Sequence, residues 1–239
     1  EAEYGGEMLY INKSAHHPMW AMEYSRDEGL RKYWDEYSYP YHKEGAGPLY
    51  RGKDASDYNH NQDMLAVENI RRWFDYWQER PGTGTRISSG GVKIIFSDTN
   101  THFRGEENYR RSGVTDAMRI PKDAFYAHQV MWDGWVDIEQ PRIHIIGHWN
   151  YKEDVIKPVY VVSGADKVEL FLNGKSLGEG EREYHFLYTF KDVQFETGKL
   201  EAIGYDETGK ECCRTELQTA GKPEEIRLTF VQSPDGWKA

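Results

Sequence analysis

Residues 17–24 of this chain read His17-Pro18-Met19-Trp20-Ala21-Met22-Glu23-Tyr24, an apolar segment with a carboxylate near its end. Apolar residues on both faces of a short segment are typical of a parallel strand that helices cover. In barrels of parallel strands the catalytic groups lie where the strands end, so Glu23 is the first candidate for a catalytic carboxylate. The alternative is that Glu23 ends the strand at the surface and pairs with Arg26 or Arg31.

The composition of the 239 residues bounds the class of partner. The formal net charge of -10 argues against nucleic acid and anionic membranes, because phosphate groups are bound by basic patches. No stretch of the sequence has the length and apolar character of a membrane-spanning helix. Aromatic residues make up 14% of the chain, and although most must pack in a core, exposed aromatic faces are what flat sugar rings stack on.

Little in the sequence points to a metal, a cofactor or a redox compartment. Cys212 and Cys213 are adjacent, and neighbouring residues seldom meet the geometry of an ordinary disulfide. The histidines show no ligand spacing with acidic residues or cysteines, so we expect no metal and no cofactor. Neither a starting methionine nor a signal-like segment precedes Glu1, and we expect the chain to be a fragment of a longer protein.

The two halves of the chain differ in pattern. Up to about Trp135, strand and helix signals alternate, and the later part shows short alternating runs between turn residues. Residues 61–80 predict a helix that Pro81-Gly82 ends, with one apolar face formed by Val67, Ile70, Trp73, Phe74 and Trp77. Residues 90–98 predict another strand, and a second helix is expected from Pro121 to about Asp133-Gly134. This half is therefore of the α/β class.

The second half predicts an all-β sandwich. Its strand candidates are residues 142–148, 158–163, 167–172, 184–190, 199–205, 210–217 and 226–231. Asn173-Gly174 follows the third of these strands and predicts a two-residue hairpin, because both residues can adopt positive φ angles.

Several motifs, taken in order, resemble one known family. They are Glu23-Tyr24 five residues after Pro18, Ser112-Gly113-Val114-Thr115-Asp116, Ile120-Pro121-Lys122-Asp123-Ala124-Phe125-Tyr126, His148-Trp149-Asn150, and Val168-Glu169-Leu170-Phe171-Leu172-Asn173-Gly174-Lys175-Ser176-Leu177-Gly178. In this order they are similar to the C-terminal part of glycoside hydrolase family 2, the β-galactosidase and β-glucuronidase family, in a form common among polysaccharide-degrading gut bacteria. The resemblance covers nearly the whole chain.

The resemblance implies a retaining glycosidase whose (β/α)8 barrel is flanked by immunoglobulin-like sandwiches. Residues 1–140 would form the C-terminal part of the barrel, about its last two strand-helix units, and residues 141–232 an immunoglobulin-like β-sandwich. Glu23 then matches the nucleophile, residues 91–97 the eighth barrel strand and residues 121–132 the last barrel helix. The family's acid/base glutamate follows an asparagine, and no Asn-Glu pair of this chain has that place. It is assigned to a missing N-terminal part, so the fragment alone should be inactive.

The placement in a barrel also indicates residues that bind the sugar. The candidates are Tyr24, Arg26, Asp98, Asn100 and His102. A polar loop of this composition would equally suit plain exposure to solvent. The aromatic segment of residues 33–51 is a candidate rim of the substrate cleft.

Two departures from the best-known β-galactosidases bear on the sugar. Arg26 stands where they carry a histidine three residues after the nucleophile, and Ile94 and Phe96 stand in the eighth strand where a tryptophan is expected. An arginine beside the nucleophile can bind a uronic-acid or sulfated sugar through two parallel hydrogen bonds. The alternative is that Arg26 neutralises Asp27 or Glu28.

These observations together predict a fragment of a retaining exo-β-glycosidase, β-galactosidase-like, that hydrolyses terminal non-reducing sugars by double displacement. A β-glucuronidase-like specificity and a non-catalytic carbohydrate-binding or scaffold protein are the alternatives. The expected partners are the carbohydrate substrate, the missing N-terminal part and a second copy in a homo-oligomer, without nucleic acid or membrane insertion. The resemblance suggests a periplasmic or extracellular location.

Overall fold

The computed structural model describes residues 3–5, 19–24, 28–47, 54–82, 88–93, 95–99 and 110–227, with the backbone alone for 3–5, 19–24, 75–82 and 88–92. Its helices are α1 (Gln62–Gly82) and α2 (Asp123–Val136). Its strands in the described ranges are β1 (Glu3–Gly5), β2 (Met19–Tyr24), β3 (Glu28–Gly29), β4 (Asn59–His60), β5 (Ser88–Lys93), β6 (Ile143–Ile146), β7 (Ile156–Ser163), β8 (Lys167–Leu172), β9 (Lys175–Glu179), β10 (Glu181–Glu183), β11 (Leu187–Gln194), β12 (Lys199–Tyr205) and β13 (Glu211–Gln218).

The first half contains a parallel sheet with the strand order β1-β2-β5. The strand expected over residues 90–98 is β5, which begins and ends earlier than expected. Beyond it the chain leaves the sheet, because its backbone bonds to another segment: the Asp98 amide donates to Thr115 O at 3.0 Å and the Thr99 amide to Arg110 O at 3.1 Å. The short strands β3 and β4 form a separate parallel pair.

Helix α1 follows its predicted apolar face, with Val67, Ile70 and Trp73 buried. Asn61 caps the helix, since its Oδ1 accepts a hydrogen bond from the Met64 amide at 3.0 Å. The expectation about its end was wrong in detail, because Pro81 and Gly82 lie inside the last turn instead of following it. Neither described helix combines the length and the apolar character that crossing a membrane requires.

Helix α2 was expected to end near Asp133-Gly134, but it continues to Val136. Gly134 has a packing role instead. A Cβ atom there would lie 2.5 Å from the ring of Phe186, so only glycine lets α2 approach the sandwich this closely. The helix buries its small and aliphatic residues, and Trp132 remains 60% exposed.

The all-β half is a sandwich of two four-stranded sheets, β10-β11-β7-β6 and β13-β12-β8-β9. This order matches the D-E-B-A and G-F-C-C′ sheets of immunoglobulin-like domains. The hairpin after β8 forms as predicted, with φ of 52° at Asn173 and 80° at Gly174. One strand prediction was wrong at its start, because Tyr184 and His185 have positive φ and form the turn between β10 and β11. Of the candidate 226–231, residues 226 and 227 form no strand and residues 228–231 lie outside the described residues.

Two hydrophobic cores place the helices and sheets in layers. The first lies between the helices and one sandwich sheet, and its larger members are Leu65, Val67, Ile70, Trp73, Val130, Met131, Ile146, Val162, Phe186 and Leu187. The second lies between the two sheets and includes Ile145, Trp149, Val159, Val161, Val168, Leu170, Leu172, Tyr188, Phe190, Phe195 and Leu200. The sheet β10-β11-β7-β6 is thus covered on both faces, and the two halves of the chain share a core.

Candidate active site

The carboxyl end of strand β2 carries the predicted catalytic glutamate. Glu23 is the penultimate residue of this strand, which pairs in parallel with β1 and β5. Near its end, β2 advances three positions from Ala21 to Tyr24 while β5 advances two from Gly91 to Lys93, so the register shifts in the interval that contains Met22 and Glu23. Irregularities of this kind are frequent beside active sites, where they re-aim a side chain. The catalytic role of Glu23 and the sugar-binding role of Tyr24 remain predictions.

The other predicted sugar-binding residues divide into two groups. Arg26, Asn100 and His102 lie outside the described residues. Asp98 is described: its Oδ1 accepts hydrogen bonds from the Gly113 amide and from Lys122 Nζ, both at 2.9 Å. A role of Asp98 in sugar binding remains a prediction. A sugar hydroxyl would have to bind Asp98 while its Oδ1 keeps these two hydrogen bonds.

Lys122 joins three segments around Asp98. Its side chain is fully buried, and its Nζ also donates to Gly29 O at 2.6 Å and to Arg111 O at 3.0 Å. Burial lowers the pKa of Lys122 against the raising effect of Asp98, and burial likewise raises the pKa of Asp98 against the effect of Lys122. Sequence reasoning missed this lysine, since a lysine before a helix is usually exposed.

A second buried polar network lies between the segment after β3 and the sandwich, and we call it the Asp35 network. Asp35 Oδ2 accepts a hydrogen bond from Tyr151 Oη at 2.6 Å and forms an ion pair with Lys157 Nζ at 2.8 Å. Asp35 Oδ1 accepts a hydrogen bond from Ser38 Oγ at 2.6 Å. Burial alone would raise the pKa of Asp35, but the Lys157 charge and these hydrogen bonds outweigh it and hold the pKa below the usual value.

His148 extends the Asp35 network from the sandwich side. Its Nδ1 accepts a hydrogen bond from the Asn150 amide at 3.1 Å, which leaves Nε2 to donate to Ser38 Oγ at 2.9 Å. The imidazole stacks on Tyr151 with 4.5 Å between ring centroids. Burial lowers the pKa of His148, in keeping with the neutral ring that this bonding pattern requires. His148 belongs to a motif that the sequence singled out, but nothing in the sequence indicated Ser38 as its partner.

Asp63 is a second buried carboxyl group near Lys157. Its Oδ2 is 3.8 Å from Lys157 Nζ, and its Oδ1 is buried without a hydrogen-bond partner. Gly147 makes room for it, since a Cβ atom there would lie 2.5 Å from Asp63 Oδ2. Burial, together with the charges of Asp123 and Asp35, raises the pKa of Asp63 well above its usual value despite Lys157. A protonated Asp63 leaves one cation, Lys157, facing one anion, Asp35.

We expect the Asp63→Asn substitution to show this protonation as a pH-dependent difference in stability. A carboxyl whose pKa is raised by folding loses stability as the pH rises above the unfolded value, by about 1.4 kcal/mol for each pKa unit. The variant should therefore gain stability relative to the parent between pH 5 and pH 8 in urea unfolding. Asp35→Asn is the matched control: its pKa is lowered, so its cost should be the same at both pH values. If the difference in stability between Asp63→Asn and the parent is the same at pH 5 as at pH 8, as it should be for Asp35→Asn, the raised pKa of Asp63 is contradicted.

The described residues contain no group of three or more histidine, cysteine, aspartate or glutamate side chains that could hold a metal ion. Asp35 is instead engaged by Lys157 and by the hydroxyl groups of Tyr151 and Ser38. Asp123 follows the same pattern, since it binds His144 Nε2 and Gln62 Nε2, each at 2.8 Å.

The described part of the chain thus combines a parallel sheet, with a glutamate at its carboxyl edge, and a two-sheet sandwich of immunoglobulin-like strand order. Comparison with known proteins shows which proteins this chain is similar to. The chain is 34% identical over 230 residues to a β-glucuronidase of Formosa agariphila, which covers 93% of this chain and 21% of that protein. It is 37% identical over 119 residues to the β-galactosidase BoGH2A of Bacteroides ovatus, covering 49% of this chain and 13% of that protein.

A solved structure agrees with these relatives. A β-glucuronidase of glycoside hydrolase family 2 superposes with a TM-score of 0.75 and 29% sequence identity, over 99% of this chain and 23% of that one. A family model described as a domain of unknown function, DUF4982, matches residues 154–213, within the sandwich. The resemblance to family 2 glycoside hydrolases is confirmed, and the chain spans about a fifth of the length of the curated relatives it matches first.

Proposed function

We propose that this chain is part of a retaining exo-β-glycosidase in which Glu23 is the nucleophile. The observation that carries the proposal is the position of Glu23 at the carboxyl end of a parallel strand, in a chain related to family 2 enzymes. In this proposal the β1-β2-β5 sheet belongs to a (β/α)8 barrel that the rest of the protein completes, with residues 1–140 on the barrel side and residues 141–232 as the sandwich domain.

The chemistry needs two carboxyl groups about 5 Å apart. Glu23 would attack the anomeric carbon, while the second group protonates the leaving oxygen and then activates the water that releases the sugar. We assign the second group to a part of the protein outside this chain. The hydrogen bonds of Lys122 to Gly29 O and to Asp98 Oδ1 connect strand β3 with the segment that follows β5.

A terminal β-glucuronide is the substrate that we favour. The relative named β-glucuronidase matches 93% of the chain, and Arg26 supplies a guanidinium three residues after Glu23 that can bind a carboxylate through two parallel hydrogen bonds. A terminal β-galactoside is the second candidate, because the chain is 37% identical to a β-galactosidase over part of its length. Loss of catalysis, with retained carbohydrate binding, is the third.

Covalent labelling of the full-length protein separates these candidates. The protein is incubated with 2-deoxy-2-fluoro glycosyl inactivators of glucurono, galacto and gluco configuration, and its peptides are analysed by mass spectrometry. We expect a label on the peptide that contains Glu23, with the glucurono reagent fastest, because a retaining enzyme forms a covalent glycosyl intermediate. A label on another carboxylate would contradict the assignment, and no label together with no hydrolysis of aryl glycosides would favour the non-catalytic protein.

A further inference from the structure

Residues 33–47, which we call the tyrosine loop, expose an unusual set of aromatic side chains. Tyr39 is 86% exposed, Tyr41 60% and Tyr37 37%. The rings of Tyr39 and Tyr41 meet edge to face with 6.2 Å between centroids. The loop contains no valine, leucine, isoleucine or methionine, so its exposed apolar surface is almost entirely aromatic.

Hydrogen bonds fix both ends of the tyrosine loop. At its start, Tyr33 O and Trp34 O accept bonds from the first amides of α1, those of Gln62 at 2.6 Å and Asp63 at 2.9 Å. At its end, the Gly45 amide donates to Asn59 O at 3.1 Å, and Glu44 pairs with His60. The Tyr33 ring also stacks on His42 at 4.5 Å, which closes the loop on itself.

The middle of the tyrosine loop is fixed from behind by the Asp35 network. Asp35 is buried, and its Oδ1 accepts a hydrogen bond from the Tyr37 amide at 3.0 Å as well as from Ser38. Tyr151 and Lys157, which bind the other oxygen of Asp35, both belong to the sandwich half. The exposed tyrosines therefore stand on a loop whose interior side is buried and ordered, which lowers the entropy that binding would otherwise cost.

We propose that Tyr39 and Tyr41 form a binding site for a sugar ring of the glycan chain on the leaving-group side of the scissile bond. Tyrosine offers an apolar ring face for the C–H face of a pyranose and a hydroxyl for its oxygens. The loop follows β3 and belongs to the connection between β2, the strand that carries Glu23, and helix α1. In a barrel of parallel strands, the connections at the carboxyl ends of the strands surround the active site. The leaving-group side rests on the proposed exo-acting function, since a pocket for the terminal sugar leaves the remaining chain outside it.

The proposal assigns positioning roles to two sandwich residues. Tyr151 and Lys157 do not reach the exposed face of the tyrosine loop, but they bind the carboxylate around which the loop turns. The sandwich domain would then contribute to substrate recognition by ordering a loop of the other half. An aromatic loop without valine, leucine, isoleucine, methionine or arginine favours a glycan over a protein partner, whose interfaces are enriched in aromatic, methionine and arginine side chains.

The test uses the full-length protein and the double substitution Tyr39→Ala/Tyr41→Ala. We expect KM to rise about tenfold for trisaccharides that end in β-linked glucuronic acid or galactose, with kcat unchanged, and KM for the matching methyl glycoside to stay the same. Trp132→Ala removes from α2 an aromatic residue as exposed as Tyr41 and serves as the matched control. Tyr151→Phe should raise KM for the trisaccharides in the same direction, by less, and leave kcat unchanged.

Direct binding separates this proposal from the proposed function. The same trisaccharides are titrated calorimetrically into Glu23→Gln protein with and without the two alanine substitutions. Weaker binding after the tyrosine substitutions supports the site even if no substrate is hydrolysed. Unchanged binding and unchanged KM overturn it even if Glu23 proves to be the nucleophile, and so does a loss confined to association with another protein.

Discussion

Glu23→Gln in the full-length protein is expected to lower kcat for glycoside hydrolysis by about 10⁴-fold or more. The amide keeps the size of the side chain but cannot attack the anomeric carbon, so the glycosyl intermediate does not form. Glu23→Ala should be inactive alone and regain turnover with added azide, which can enter the space of the missing carboxylate and yield the α-glycosyl azide. Both are measured with aryl glycosides and product analysis.

Glu36→Gln is the matched control for this result. Glu36 is exposed and lies on the tyrosine loop, so the same change of charge there should leave kcat within about twofold. If Glu23→Gln kept full activity, or if azide gave the β-glycosyl product, Glu23 would not be the nucleophile. The double-displacement mechanism would then require another carboxylate as its nucleophile.

Lys157→Met is expected to be the most destabilising of the substitutions considered. The side chain of Lys157 is 5% exposed, and its loss leaves the carboxylate of Asp35 buried without its cationic partner. Removing one partner of a buried ion pair costs about 3–5 kcal/mol. Because the pair joins two halves of the chain, the cost should appear as faster amide hydrogen exchange in residues 28–47 and 143–163, measured in the full-length protein by mass spectrometry.

Two variants sharpen this expectation. Lys157→Met/Asp35→Asn removes both charges and should recover part of the lost protection, because the remaining groups no longer include an unpaired buried ion. Lys191→Met removes an exposed lysine that pairs with Glu181, and exchange should not change. Equal protection in the parent and the Lys157→Met protein would show that the Asp35 network does not join the two halves.

The sequence predicted which residues of the candidate site lie at strand ends and in loops, but not how they are oriented. Glu23 could be placed at a strand end because the apolar run before it is continuous, and the structure puts it at the carboxyl edge of a parallel sheet. The tyrosine loop could be recognised by its composition. Its orientation could not, because Asp35 is fixed by residues far along the chain: Tyr151 lies 116 positions away.

The sequence by itself determined the elements whose physical cause is local. The apolar face of α1 follows from the helical repeat, the alternation of strand β8 buries Val168, Leu170 and Leu172, and the hairpin after it needs two residues that accept positive φ. Tertiary structure alone decided which charged groups are buried. Lys122, Lys157 and Asp63 read as surface residues, but the packing of both halves around one shared core buries all three. The same packing brings Asp98 to Lys122 and Asp35 to Lys157, and these ion pairs counter the cost of desolvation. Asp63 has no such compensation at its Oδ1, and its raised pKa is the consequence.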